Sequence, residues 1–109
     1  MKSQIKNIVE HADISEKNIE SYLVDQLKTI RIACLKYSNA NMVGYPDRLI
    51  VLPNGKVMWA EIKSKGKKPT AIQLVRHGYL KSIGHEVLII DDKQQVDALV
   101  SQIAKRYRK

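Results

Sequence analysis

Apolar positions along the chain recur with two periods, and each change of period marks a new element. Behind Ser15, a good N-cap, Ile19, Tyr22, Leu23, Leu27 and Ile30 follow helical spacing and predict a helix over 16–29. Residues 31–37, RIACLKY, alternate imperfectly and read as a strand. Two short runs rich in Val, Ile, Leu, Met and Trp follow, 49–52 and 57–60, on either side of Pro53-Asn54-Gly55; this is the pattern of a β-hairpin. Thr70 and Gln73 form a T-x-x-Q capping box opening a helix that runs to about residue 82, where Ile72, Val75, Tyr79 and Leu80 are expected to be buried. A short buried strand over 86–90 leads to Asp91 or Asp92, either of which caps a last helix through Val96, Leu99, Val100 and Ile103.

The order is therefore α-β-β-β-α-β-α. A strand reached through a crossover helix, set beside a hairpin, implies a central mixed sheet flanked by helices and places the chain in the α/β class. At 109 residues it has room for one domain. Residues 15–104 form the core and 105–109 a basic tail; the weak apolar spacing of Ile5, Ile8, Val9 and Ala12 makes 1–14 a short helix or an arm.

The hairpin turn sets which side chains share a face. A two-residue turn at Asn54-Gly55 would put Asp47 and Glu61 on opposite faces. Pro53 favours the first position of a type I turn, and Gly55 in the left-handed region then closes a three-residue loop, so Leu52 pairs with Lys56 and Asp47 lies across from Glu61. Lys63 shares their face. Leu49, Val51, Val57 and Trp59 lie on this face and Ile50, Leu52, Met58, Ala60 and Ile62 on the other, which suggests burial on both sides. Two carboxylates about 5 Å apart across a strand pair repel by about 3 kcal/mol at an effective dielectric near 20. A hard divalent cation would relieve that repulsion. The other reading makes Asp47 a strand-end cap and Glu61 a partner of Arg48 or Lys63, all at the surface.

Charge narrows the class of partner. Nineteen Lys and Arg against eleven Asp and Glu give +8, and a small domain so basic usually meets a polyanion. Phe is absent and aromatic residues are few, which disfavours a base-stacking platform and favours contact with backbone phosphate. Cys34 is alone and the three histidines are scattered, so neither a disulfide framework nor a Cys or His zinc site is expected. No apolar run approaches a membrane span and no signal segment opens the chain, so a soluble intracellular protein of cellular or viral origin is expected.

Gly44-Tyr45-Pro46-Asp47 followed by Glu61-Ile62-Lys63 resembles the PD-(D/E)XK nuclease signature in the G-x-PD form of the virus-type replication-repair nuclease (VRR-NUC) family. The E-x-K core is short; specificity comes from the preceding Gly and Pro, the strand-turn-strand between the carboxylates and the helix carrying Gln73. The resemblance spans roughly residues 19–99. It implies a metal-dependent DNA endonuclease of replication, repair or recombination, with junction resolvase activity as a close alternative. Asp47, Glu61 and the Ile62 backbone carbonyl would hold Mg2+, with Mn2+ as a substitute, and Lys63 would stabilise the transition state. Gln73 would lie beside them. A family glutamate in the first helix maps best to Glu20, although a solvated helix carboxylate explains that residue as well. Lys65, Lys67 and Lys68, leaving the strand of Glu61, would hold DNA phosphate, with Arg76, His77 and Gly44 as further candidates. Lys36 and Tyr37 end the first strand where it would approach the site. So short a chain has little surface for a long duplex, so a homodimer offering two sites is expected. A non-catalytic nucleic-acid-binding domain explains the charge equally well.

Overall fold

The computed structural model describes residues 15–107, so the helix or arm expected over 1–14 lies outside the described residues, as does the end of the basic tail. Seven elements follow in the expected order: α1 (Glu16–Thr29), β1 (Ala33–Lys36), β2 (Arg48–Val51), β3 (Val57–Ile62), α2 (Ala71–Ser82), β4 (Glu86–Ile90) and α3 (Lys93–Arg106). Each helix starts on the cap its sequence provides. The Ser15 side chain accepts from the Asn18 amide, Thr70 and Gln73 close the full capping box, and Asp92 accepts from the Gln95 amide.

The four strands form one mixed sheet in the order β1-β2-β3-β4, antiparallel except for the parallel pair β3 and β4. Arg48 faces Ala60 and Val51 faces Val57, the register that a three-residue loop demands, and the Leu52 amide donates to the Lys56 carbonyl at 2.9 Å. The loop itself differs from the expected type I form: Asn54 (φ 66°) as well as Gly55 (φ 72°) is left-handed, a conformation that Asn tolerates better than most residues.

Alternation along the strands divides the molecule. On one face Ile50, Leu52, Met58, Ala60, Ile62 and Ile90 meet Ile19, Leu23 and Leu27 of α1 and Val96, Leu99 and Ile103 of α3, forming a single apolar core. The opposite face is not buried as expected. Leu35, Val51, Val57 and Ile89 are exposed there, because α2 covers only part of it. Helix α2 also turns differently from its apolar pattern: Ile72, Val75 and Tyr79 are exposed, and the buried residues are His77 and Leu80. The cause lies on β3. A carboxylate there needs polar partners, and the Gln73–His77–Leu80 edge, spaced i, i+4 and i+7, supplies two.

Candidate active site

Asp47 stands just before β2, Glu61 at the penultimate position of β3 and Lys63 just after that strand. The observed register continues to pair Asp47 with Glu61, and their carboxyls lie close enough to share a proton. One Asp47 oxygen also accepts the Ile62 amide at 3.0 Å. The N–H and C=O of a strand residue point to the same side, so the Ile62 carbonyl faces β2 as well. Lys63 Nζ is 3.9 Å from Glu61 Oε2, and the Lys63 amide is fixed by the Ile90 carbonyl at 2.9 Å.

Glu61 is 1% exposed, and among the described residues its donors are Gln73 and His77 of α2 and Lys63 just after β3. Gln73 serves two purposes at once. Its Oε1 accepts the Thr70 amide at 2.9 Å to complete the capping box, which turns its Nε2 toward Glu61 Oε2 at 3.3 Å. His77 Nε2 lies 3.2 Å from Glu61 Oε1. Burial first, then the proton shared with Asp47 and its negative charge, push the Glu61 carboxyl from its ordinary 4.5 to about 8. Burial, with Lys81 and Lys63 nearby, lowers the His77 pKa and so favours the neutral ring.

A groove of about 330 Å³ opens on Asp47 and Gln73, walled by Lys36, Tyr37 and the loop through Tyr45. Both residues at the end of β1 thus reach the site. Tyr37, Tyr45 and Trp59 pack edge-on or tilted against one another beside it, a cluster formed although aromatic residues are few.

The chain is 40% identical over 80 residues, 73% of its length and 86% of the relative's, to the protein named "Putative nuclease p44" of Acyrthosiphon pisum secondary endosymbiont phage 1. A solved structure described as a VRR_NUC domain matches with a TM-score of 0.74 and 28% identity, covering 79% of this chain and 94% of that one. No family model matches the sequence. The chain belongs to the VRR-NUC nuclease family.

In this VRR-NUC domain Asp47, Glu61, Lys63 and Gln73 come together, whereas Glu20 does not join them. Glu20 lies on the α1 side and accepts from Arg48 Nε at 2.8 Å, and Arg48 also donates to the Cys34 carbonyl. Arg48 alternates onto the core face, opposite to Asp47, and takes Glu20 with it. The α1 charge felt by Glu61 is instead that of Glu16, one turn earlier on the same helix face. Its place in the first turn also lets it interact favourably with the helix dipole.

His77, a candidate for phosphate contact, is 2% exposed and bound to Glu61, so it cannot meet DNA. Arg76 donates its Nε to the Val43 carbonyl at 3.0 Å and lies over the Tyr45 ring, clamping the groove loop to α2. Gly44 has φ 97°, and a Cβ there would stand 3.0 Å from both Arg76 and Ile72; the close approach is to α2, not to phosphate. Lys65, Lys67 and Lys68 are exposed on a loop fastened by Gly66 N to Asp91 and by Lys65 to Asp92.

The protein supplies two carboxylates and a carbonyl, all hard oxygen donors, and among the described residues no group of three or more His, Cys, Asp and Glu gathers to hold a metal. That donor set fits Mg2+ or Mn2+, which take one or two carboxylates and fill their remaining positions with water and phosphate oxygens. Among the described residues no helix is long and apolar enough to cross a membrane.

Proposed function

We propose that this VRR-NUC domain is a Mg2+-dependent DNA endonuclease, selective for branched DNA in replication, repair or recombination. The observation that carries it is the buried Glu61 carboxyl pressed against Asp47, with Lys63 3.9 Å from Glu61 and an open groove reaching Asp47. Asp47, Glu61 and the Ile62 carbonyl would hold the cation. When bound, it supplies Lewis-acid polarisation of the phosphoryl group and lowers the pKa of water. Lys63 offsets negative charge developing on the phosphoryl oxygens. Gln73 keeps Glu61 turned toward its neighbour, and the Lys65, Lys67 and Lys68 loop holds flanking phosphates.

The homodimer expected for so short a chain has support in the distribution of apolar surface. Among the described residues the exposed large hydrophobic ones, including Leu35, Val43, Val51, Val57, Val75, Tyr79 and Ile83, lie on α2, beside it or on the sheet face it flanks. Such one-sided exposure marks a contact surface. A dimer would bring two sites to two strands, which keeps four-way junctions among the candidate substrates.

The test is cleavage of flap, nicked, duplex, single-stranded and four-way-junction DNA with and without Mg2+ or Mn2+, alongside sedimentation to determine mass. Asp47→Ala and Lys63→Ala are expected to keep the fold and lose cleavage by at least about 10³-fold, the scale of several kcal/mol of lost transition-state stabilisation. Salt-sensitive binding without any cutting by the wild type would establish the binding-domain alternative.

A further inference from the structure

From the buried polar contacts of α2 we infer that His77 is a positioning residue for this site: its Nε2–H holds Glu61 Oε1 and so sets the carboxylate that receives the divalent cation. The inference rests on the nuclease reading and adds to it a residue that touches neither DNA nor metal.

Three observations converge on this role. His77 is 2% exposed, beneath the outer surface of α2, with Nε2 3.2 Å from Glu61 Oε1. The other Glu61 oxygen is taken by Gln73 Nε2 at 3.3 Å and Lys63 Nζ at 3.9 Å, so without His77 Oε1 loses its imidazole partner in a nearly dry site. His77 Nδ1 is also buried and has no hydrogen-bond partner among the described residues. Buried N–H groups left without a partner are rarer in proteins than under-satisfied acceptors, and an ionised carboxylate accepts but cannot donate. Both conditions favour the tautomer with the proton on Nε2.

Geometry assigns Gln73 and His77 complementary tasks. They stand four residues apart on one helix edge, each facing one oxygen of the same carboxylate. The capping box fixes Gln73, and burial fixes His77. Held at both oxygens, Glu61 has little freedom to rotate, and its unused lone pairs keep a constant direction toward Asp47. Partners of this kind typically change metal affinity or activity by about 10- to 100-fold when lost.

The experiment compares wild type, His77→Leu, which fills the space without a donor, and His77→Gln, whose side-chain amide restores one. Mn2+ binding is measured by calorimetry, cleavage as separate kcat and KM for DNA, and folding by thermal melting. His77→Leu, still folded, is expected to bind Mn2+ about tenfold or more weakly and to lose kcat at limiting metal with KM for DNA unchanged; His77→Gln is expected to recover most of the loss. In metal-free wild type at alkaline pH, with the Glu61 carboxyl ionised, imidazole ¹⁵N spectra should show hydrogen on Nε2. Unchanged Mn2+ affinity in His77→Leu, equal loss in both variants, or hydrogen on Nδ1 would overturn the assignment. Failure of the wild type itself to bind Mn2+ would overturn the nuclease reading, and the metal-free tautomer would still decide for or against His77 as the donor to Glu61.

Discussion

The two faces of the sheet solve opposite problems with the same four strands. Toward α1 and α3 every inward side chain from Ile50 to Ile62 is apolar and nearly all solvent is excluded. Toward α2 the buried side chains include a carboxyl and an imidazole, three aromatic rings lean on one another, and large apolar residues stand in solvent. The first face stabilises the fold by burial; the second gives up part of that stability to hold a carboxyl where ionising it is difficult. In so small a domain one strand can serve both faces, because a strand residue and its neighbour point to opposite sides: Ala60 and Ile62 anchor β3 while Glu61 between them faces the candidate site.

Glu61→Gln breaks the comparison most sharply. The variant keeps the shape of the side chain and removes its charge, and cleavage should fall by about 10³-fold or more. Stability should move the other way at high pH. The folded-state pKa is raised from the ordinary 4.5 to about 8, so the folded wild type binds the Glu61 proton more tightly than the unfolded chain does. This contribution to stability is complete below about 4.5, declines as pH rises and is gone once pH passes about 8, at roughly 1.4 kcal/mol per unit. Urea unfolding of metal-free protein across that window should therefore show wild type losing several kcal/mol relative to Glu61→Gln. Saturating Mg2+ should reduce the loss by binding the ionised folded form. Parallel pH profiles for the two proteins would contradict the buried, strained carboxyl.

Leu23→Ala probes the other face. Leu23 is fully buried between α1 and its neighbours, and removing it should cost about 2–5 kcal/mol through lost burial and the cavity left behind. The folded fraction of this variant should cleave at the wild-type rate. Val75→Ser, on exposed α2, should change monomer stability by no more than about 0.5 kcal/mol. If the apolar side of the sheet joins two copies, the same substitution should lower the sedimentation mass at a given concentration. A large loss of monomer stability in Val75→Ser would mean that α2 is packed more like α1 than its exposure indicates.

Much of the apolar face was legible because one rule governs it. Helical spacing found Ile19, Leu23 and Leu27, and alternation with a three-residue turn found the hairpin register and with it the pairing of Asp47 and Glu61. The same reasoning misjudged α2, where Ile72, Val75 and Tyr79 formed the better apolar stripe and yet stand exposed. Period alone assigns the apolar edge to the core, but in α2 satisfying a buried carboxyl outweighed burying aliphatic surface. Nor could spacing show that His77 meets Glu61, sixteen residues away, since that contact depends on how the loop after Lys63 returns α2 to the sheet. Gln73 was legible twice, as a cap and as a neighbour of the site, and it is both.

A separate pair of effects is expected at the start of α1. Glu16 and Glu20 are one turn apart on the same helix, but Glu20 is paired with Arg48 on the core face while the charge of Glu16 raises the Glu61 pKa at the end of β3. Glu16→Gln removes a negative charge felt by the carboxyl proposed to hold the cation, so it should weaken Mg2+ binding by about fivefold, the scale of a screened interaction of about 1 kcal/mol near the surface. Added salt should narrow that difference. Glu20→Gln should leave metal affinity nearly unchanged and instead cost about 1–3 kcal/mol of stability, because it leaves the partly buried Arg48 guanidinium without its anionic partner. Calorimetric Mg2+ titrations paired with urea unfolding of the two variants separate these outcomes. The reverse pattern, with Glu20→Gln losing metal affinity while stability is kept, would move the α1 carboxylate of this site back from residue 16 to residue 20 and shift the boundary between the two faces by one helical turn.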